Sequence, residues 1–248
     1  MDKEVRTRPE LNLSRRGFLA GAGKIAVAAT AGAAGLTVLA SQSTQAADSP
    51  AWPWPYKKLD PEKVYSKAAG FYYQYGCCQA TFEAIISELG QPYTSVPTGM
   101  MRFGEGGVAG WGSHCGALLG GSAAIGLVHK DSAVYSKLIT ELTGWYTEDL
   151  GSGSVLCHVS VTEWAKANGV TVESQERKDR CSRVAGEVAK KAVLLLNAQD
   201  DNQSKAVFAP RESVVGCQTC HGKDGSQTVR AGVLQDCVSC HTDEPHKN

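Results

Sequence analysis

Two five-residue runs late in the chain share one pattern: Cys217-Gln218-Thr219-Cys220-His221 and Cys237-Val238-Ser239-Cys240-His241. Each sets two thiols three positions apart with a histidine directly after. Two such thiols on one helical turn can form thioethers to both vinyl groups of a haem, and the adjacent histidine then points back at the iron. The four cysteines also fit C-x2-C-x16-C-x2-C, the spacing of a zinc ribbon. A ribbon needs no histidine after both pairs and is mainly an intracellular device. The expectation is therefore haem c, two per chain, carried by Cys217, Cys220, Cys237 and Cys240, with His221 and His241 as proximal ligands.

Four histidines remain for the sixth positions: His114, His129, His158 and His246. Bis-histidine ligation of both haems would use two of them, and a low-spin bis-histidine haem carries electrons rather than catalysing a reaction. His246 lies five residues past His241, too near to cap the same haem, but it could reach the other haem or one in a second subunit. His129 is expected at the far end of an apolar helix, in a short turn from which it could project outward. His129 and His246 are the leading distal candidates; Met100 and Met101 are weaker ones. His114 and His158 each adjoin a cysteine and could serve another site.

The chain has nine cysteines. The five outside the haem motifs are Cys77, Cys78, Cys115, Cys157 and Cys181. Cys77, Cys78 and Cys115 are expected at helix starts, where free N–H groups and the helix dipole stabilise thiolates. Glycines around Cys115 would let backbone approach a compact cofactor closely. A cysteine-bound iron–sulfur or non-haem iron centre is the favoured use. Two disulfides with one free thiol, or inert buried thiols, are the alternatives.

The N-terminus bears on this choice. Ser14-Arg15-Arg16-Gly17-Phe18-Leu19, an Ala/Gly-rich run to about Ala40 and small residues near Ala46-Ala47 read as a twin-arginine signal removed after export. Haem c is attached after export, whereas the twin-arginine route carries folded proteins, commonly with a cofactor already inserted. The first 47 residues hold six Lys/Arg and three Asp/Glu of the chain's 25 and 25. The remainder has 19 basic and 22 acidic side chains, a formal charge of −3. That is no footprint for nucleic acid, and the mature chain offers no second stretch that could anchor it in a membrane. The product is expected to be periplasmic and to act with redox partner proteins.

The elements that must position these groups are helices. Residues 48–60 form a Pro/Trp-rich lead-in expected to lie against the folded body. Pro61 opens one helix, and Cys77 to Leu89 forms a second, stopped by Gly90. A Gly-rich loop from Gly104 to Gly112 leads to Cys115 and an apolar helix ending near His129. Asp131 caps a helix lasting to about Glu148. Ser160-Val161-Thr162-Glu163 reads as a capping box placing Cys157 in the loop before a helix that ends at Gly169. A last helix spans about Glu173 to Asn197. No segment alternates as a strand would. Residues 48–200 are thus an all-α, cysteine-rich domain. Residues 201–248, polar and short of apolar side chains, need the haems to order them.

The helical domain resembles the family named for its C-GCAxxG-C-C pattern. The matching runs are Gly76-Cys77-Cys78-Gln79-Ala80, Gly104 to Gly112 leading into Cys115-Gly116-Ala117-Leu118-Leu119-Gly120, then Cys157 and Cys181. With two haem motifs and a twin-arginine signal, the whole chain looks like the split-Soret cytochromes c. That resemblance implies a homodimer with two bis-histidine haems per chain, close together at one end and open to ligation across subunits. It also implies an iron–sulfur-type centre remote from the haems. Cys78, Cys115, Cys157 and Cys181 match the family's four cysteines, Cys77 is an alternative to Cys78, and His114 is a further candidate ligand.

The function expected is electron transfer. A small reductase of an inorganic oxyanion or nitrogen species is the alternative; it requires an open axial position on a haem or an open iron site. A redox or gas sensor is disfavoured because no signalling domain is present.

Overall fold

A computed structural model describes residues 51–204 and 208–226, together with Leu234 and Cys237. Six α-helices are seen among them: α1 (Pro61–Leu89), α2 (Gly116–Val128), α3 (Ser132–Thr147), α4 (Cys157–Asn168), α5 (Gln175–Asp200) and α6 (Glu212–His221). Short 3-10 turns, Tyr93–Ser95 and Thr98–Gly104, lie between α1 and α2. Among the described residues there is no strand, only an isolated bridge between His114 and Leu156. The protein is all-α, as the sequence predicts. No described helix is long and apolar enough to cross a membrane.

Local chemistry sets the helix ends. The Asp60 carboxylate accepts from the N–H groups of Glu62 (2.9 Å) and Lys63 (3.3 Å), opening α1. Asp131 accepts from Ala133 N–H to open α3, and Ser174 accepts from Arg177 N–H to open α5. Gly169, left-handed at φ 66°, closes α4. The two helices predicted at Pro61 and Cys77 run on as α1 with a break at Gly76 (φ 72°, ψ 172°). A side chain there would need both that backbone and the space held by the Glu105 side chain.

The core lies where α1 packs on α2 and α5, with α3 closing the side. Ile85 and Ile86 of α1, Leu118 and Ile125 of α2, Leu138 and Leu142 of α3, and Val188, Val193 and Leu196 of α5 are fully buried. The Trp-rich lead-in lies against this body as expected. Trp52 donates to the Leu127 carbonyl (2.8 Å), Tyr93 donates to that of Trp54 (2.8 Å), and Tyr56 donates to Asn197 Oδ1 (2.7 Å).

One helix start differs from its expectation. Ser160 is not a cap: α4 begins at Cys157, so Cys157 is helical and Ser160 lies a turn inside, buried. A Ser-x-x-Glu run fits a helix interior as well as its start, and here the serine hydroxyl is engaged by α5 instead.

The C-terminal segment is strapped to α3. Phe208 N–H donates to Glu141 Oε1 (2.8 Å), and Arg211 pairs with Glu148 (3.0 Å). Beyond this strap α6 buries only Val214, in keeping with a segment too poor in apolar residues to make its own core.

Candidate metal centre and haem-attachment helix

Four cysteines from four places in the chain line one small cavity: Cys77, Cys115, Cys157 and Cys181, with Tyr146, Ser160 and Arg180. Cys77 sits just past the Gly76 break in α1, and Cys181 is in α5. Cys115 and Cys157 are brought together by a short ladder. Cys115 N–H donates to the Val155 carbonyl (2.8 Å), Cys157 N–H to that of Ser113 (2.6 Å), and His158 N–H to that of Gly112 (3.0 Å). The Gly-rich sequence on both sides provides the loop; the pairing itself has no strand-like signature.

Every pair among these four thiols is near enough to interact electrostatically. Cys78 interacts only with Cys115; its side chain is fully buried in the core against Gly104. The structure thus separates the adjacent pair: Cys77 faces the cavity and Cys78 the apolar interior. Gly116 makes this possible, since a Cβ there would lie 2.4 Å from Cys77 Sγ.

Burial raises Cys77, Cys78, Cys115 and Cys157 above the ordinary thiol value. Burial and then the neighbouring Cys115 raise Cys77; burial, then Cys115 and Cys181, bring Cys157 to about 11; burial brings Cys78 to about 12. Burial also dominates at Cys115, partly opposed by the neighbouring Tyr146 side chain and the backbone of Leu118 and Ala117. None of the described cysteines is in a disulfide. Among the described residues no set of three or more side chains is already drawn to metal-ligating distance.

Beside these thiols lies a cation. Arg180 is 8% exposed, its Nη1 is 4.0 Å from Cys181 Sγ and its Nη2 donates to Ser160 Oγ at 2.6 Å. Tyr146 donates to the same hydroxyl oxygen (3.2 Å). Among the described residues no carboxylate pairs with Arg180. A buried guanidinium without a counter-charge is costly. A thiolate set holding iron would supply one, so the residues present fit a cysteine-bound iron centre.

The other predicted ligands lie elsewhere. His114 and His158 do not line the cavity. His114 belongs to the bridge with Leu156, burial lowers its pKa, and His158 Nδ1 sits 2.8 Å from the Gly112 carbonyl oxygen. His129 caps the opposite end of α2 from Cys115, about 20 Å away for a helix of this length. It is half-buried, with Nε2 buried and unpartnered. Met100 is exposed and Met101 buried, both in the turn before the glycine loop.

Cys217 and Cys220 lie one turn apart in α6, half-buried and exposed, with His221 ending the helix. This is the arrangement that double thioether attachment requires, on a helix with most of its surface uncovered. Cys237 is half-buried. Cys240, His241 and His246 lie outside the described residues.

The model of the family described as "Putative redox-active protein (C_GCAxxG_C_C)" matches residues 75–195, a span that contains all four cavity cysteines. The chain is also 30% identical over 267 aligned positions to the split-Soret cytochrome c of Desulfovibrio desulfuricans, covering 94% of this chain and 95% of that protein. The chain belongs to the split-Soret cytochrome c family. It is accordingly a redox protein of electron transfer. A solved structure, titled as showing a novel iron centre in the split-Soret cytochrome c from the same organism, superposes with a TM-score of 0.70. That match is at 29% identity and covers 77% of this chain and 90% of the other.

Sequence reasoning did not single out Arg180 or Tyr146, and read Ser160 only as a helix cap. Arg180 was within reach, as an arginine directly before a cysteine in a helix. Tyr146 lies in α3, far from every cysteine in sequence, and only the fold brings it in.

Proposed function

We propose that this protein is a periplasmic dihaem electron carrier, exported by the twin-arginine route and working as a homodimer. Cys217 and Cys220 bind one haem and Cys237 and Cys240 the other, with His221 and His241 as proximal ligands. His129 and His246 are the candidates for the distal positions; an unpartnered, buried Nε2 supports His129. A second redox station, an iron–sulfur or other non-haem iron centre, is held by Cys77, Cys115, Cys157 and Cys181. When bound, that centre supplies a one-electron couple apart from the haems.

The observation that carries the metal-centre reading is the convergence of four thiols beside a buried, carboxylate-free Arg180. The iron centre named in the solved relative supports it. Around the centre, Tyr146 and Arg180 hold Ser160 in place, and the ladder between residues 112–115 and 155–158 fixes two of the four sulfurs.

The test is iron per haem in anaerobically purified, exported protein, from metal analysis paired with a pyridine haemochrome assay. A ratio clearly above one is expected. A ratio of one would leave a plain dihaem carrier and return the cysteines to packing.

A further inference from the structure

The small cysteine cavity adjoins a larger pocket, about 450 Å³, lined by Cys77, Cys157 and Cys181 together with Tyr72, Arg102, Phe103, Glu105 and Arg177. Its size lies at the lower end of small-molecule sites. Three of the four thiols therefore face a chamber that a small solute can enter. Such access is unnecessary for a station that only passes electrons.

The chamber's charge is specific. Its charged lining groups are Arg102, Arg177 and Glu105. Glu105 is turned toward Gly76, its side chain filling the space a Cβ would take there, and it reaches Arg102 only at 3.9 Å. Arg177 is held in place: Nε donates to the Val172 carbonyl (2.5 Å) and Nη1 to the Tyr72 hydroxyl (3.3 Å). These bonds use two of the five N–H groups of a guanidinium. The rest have no protein acceptor among the described residues. A guanidinium oriented by its neighbours, with donors to spare inside a pocket, presents the planar fork that pairs with an oxyanion.

We propose that this pocket binds a small oxyanion, held by Arg177 with help from Arg102, above Cys77, Cys157 and Cys181. The proposal rests on the cysteine-centre reading for what the anion meets at the floor, not for how it is held.

Sodium nitrite is the probe, titrated calorimetrically into full-length, haem-loaded protein, with the haem spectrum followed in parallel and iron per haem measured on the same sample. Saturable binding with an unchanged haem spectrum is expected. Arg177→Gln should weaken it about tenfold or more, the loss of one charge-assisted hydrogen bond. Arg102→Gln, on an exposed turn where folding is not at stake, should weaken it less. Absence of binding, equal affinity in Arg177→Gln, or binding that tracks a haem spectral change would overturn the proposal. The iron measurement separates the two readings. Excess iron without nitrite binding sinks the anion site alone. Arg177-dependent binding without excess iron supports the site and sinks the centre.

Discussion

Arg180 Nη1 stands 4.0 Å from Cys181 Sγ in the same buried space. The two are neighbours in sequence, yet what joins them is the cavity rather than the chain. Arg180→Met should therefore change sign with the state of the site. In iron-free protein the variant should unfold at the same or a higher temperature, because an unpaired buried charge is removed. In iron-loaded protein it should be less stable, and the midpoint potential of the non-haem centre should fall by at least about 60 mV, one tenfold change in a one-electron equilibrium. Paired thermal melts and a redox titration check this. Equal effects in both states would count against a negatively charged centre.

The adjacent cysteines should behave differently. Cys77→Ser should lose the iron in excess of haem while the helices stay intact. Cys78→Ser should keep that iron and instead lose about 1–3 kcal/mol of stability, from a hydroxyl placed in an apolar core. Metal analysis and denaturant unfolding of both variants read the two outcomes; iron loss in Cys78→Ser alone would reverse the assignment.

Haem attachment can be tested one motif at a time. Cys217→Ala combined with Cys220→Ala should halve the pyridine haemochrome signal per chain, and adding Cys237→Ala with Cys240→Ala should abolish it. A single intact motif that still gives the full signal would contradict one haem per motif.

Glu88 offers a pH test away from the redox groups. Hydrogen bonds from Lys67 and then Lys63 hold its carboxyl below the usual carboxylate range. A depressed folded-state value contributes stability above the unfolded-state value and loses it as pH falls through the folded one. Glu88→Gln should thus cost about 1 kcal/mol near neutrality. The difference should shrink below about pH 4, where the unfolded carboxyl is protonated. Urea midpoints at several pH values measure it, and a difference that grows on acidification would refute the assignment.

Much of the fold was legible because it is written locally. Asp131, Gly90 and Gly169 mark helix ends through their own backbone and side-chain chemistry, and the structure has them there. Ser160 was misplaced because its hydroxyl serves Arg180, a partner in another helix. The cysteine types announced a site, but not which of Cys77 and Cys78 faces it. That choice depends on how α1 rotates past Gly76 and on the absence of a Cβ at Gly116. Arg177 and Tyr72 carried no signal at all, since an arginine on a helix is ordinarily a solvated surface residue.

α4 is the lightest member of the domain: it buries only Ser160 and Ala165. Elements with little buried surface open at the lowest free-energy cost. This helix nevertheless carries Cys157, and the ladder to residues 112–115 together with the Arg180 contact is what fastens it. On the proposed reading, this helix would open about that ladder to let iron reach Cys157 and would be held shut once four sulfurs share one metal. Amide exchange in α4 should thus be the fastest among the core helices of the empty protein and slow the most when the site is filled.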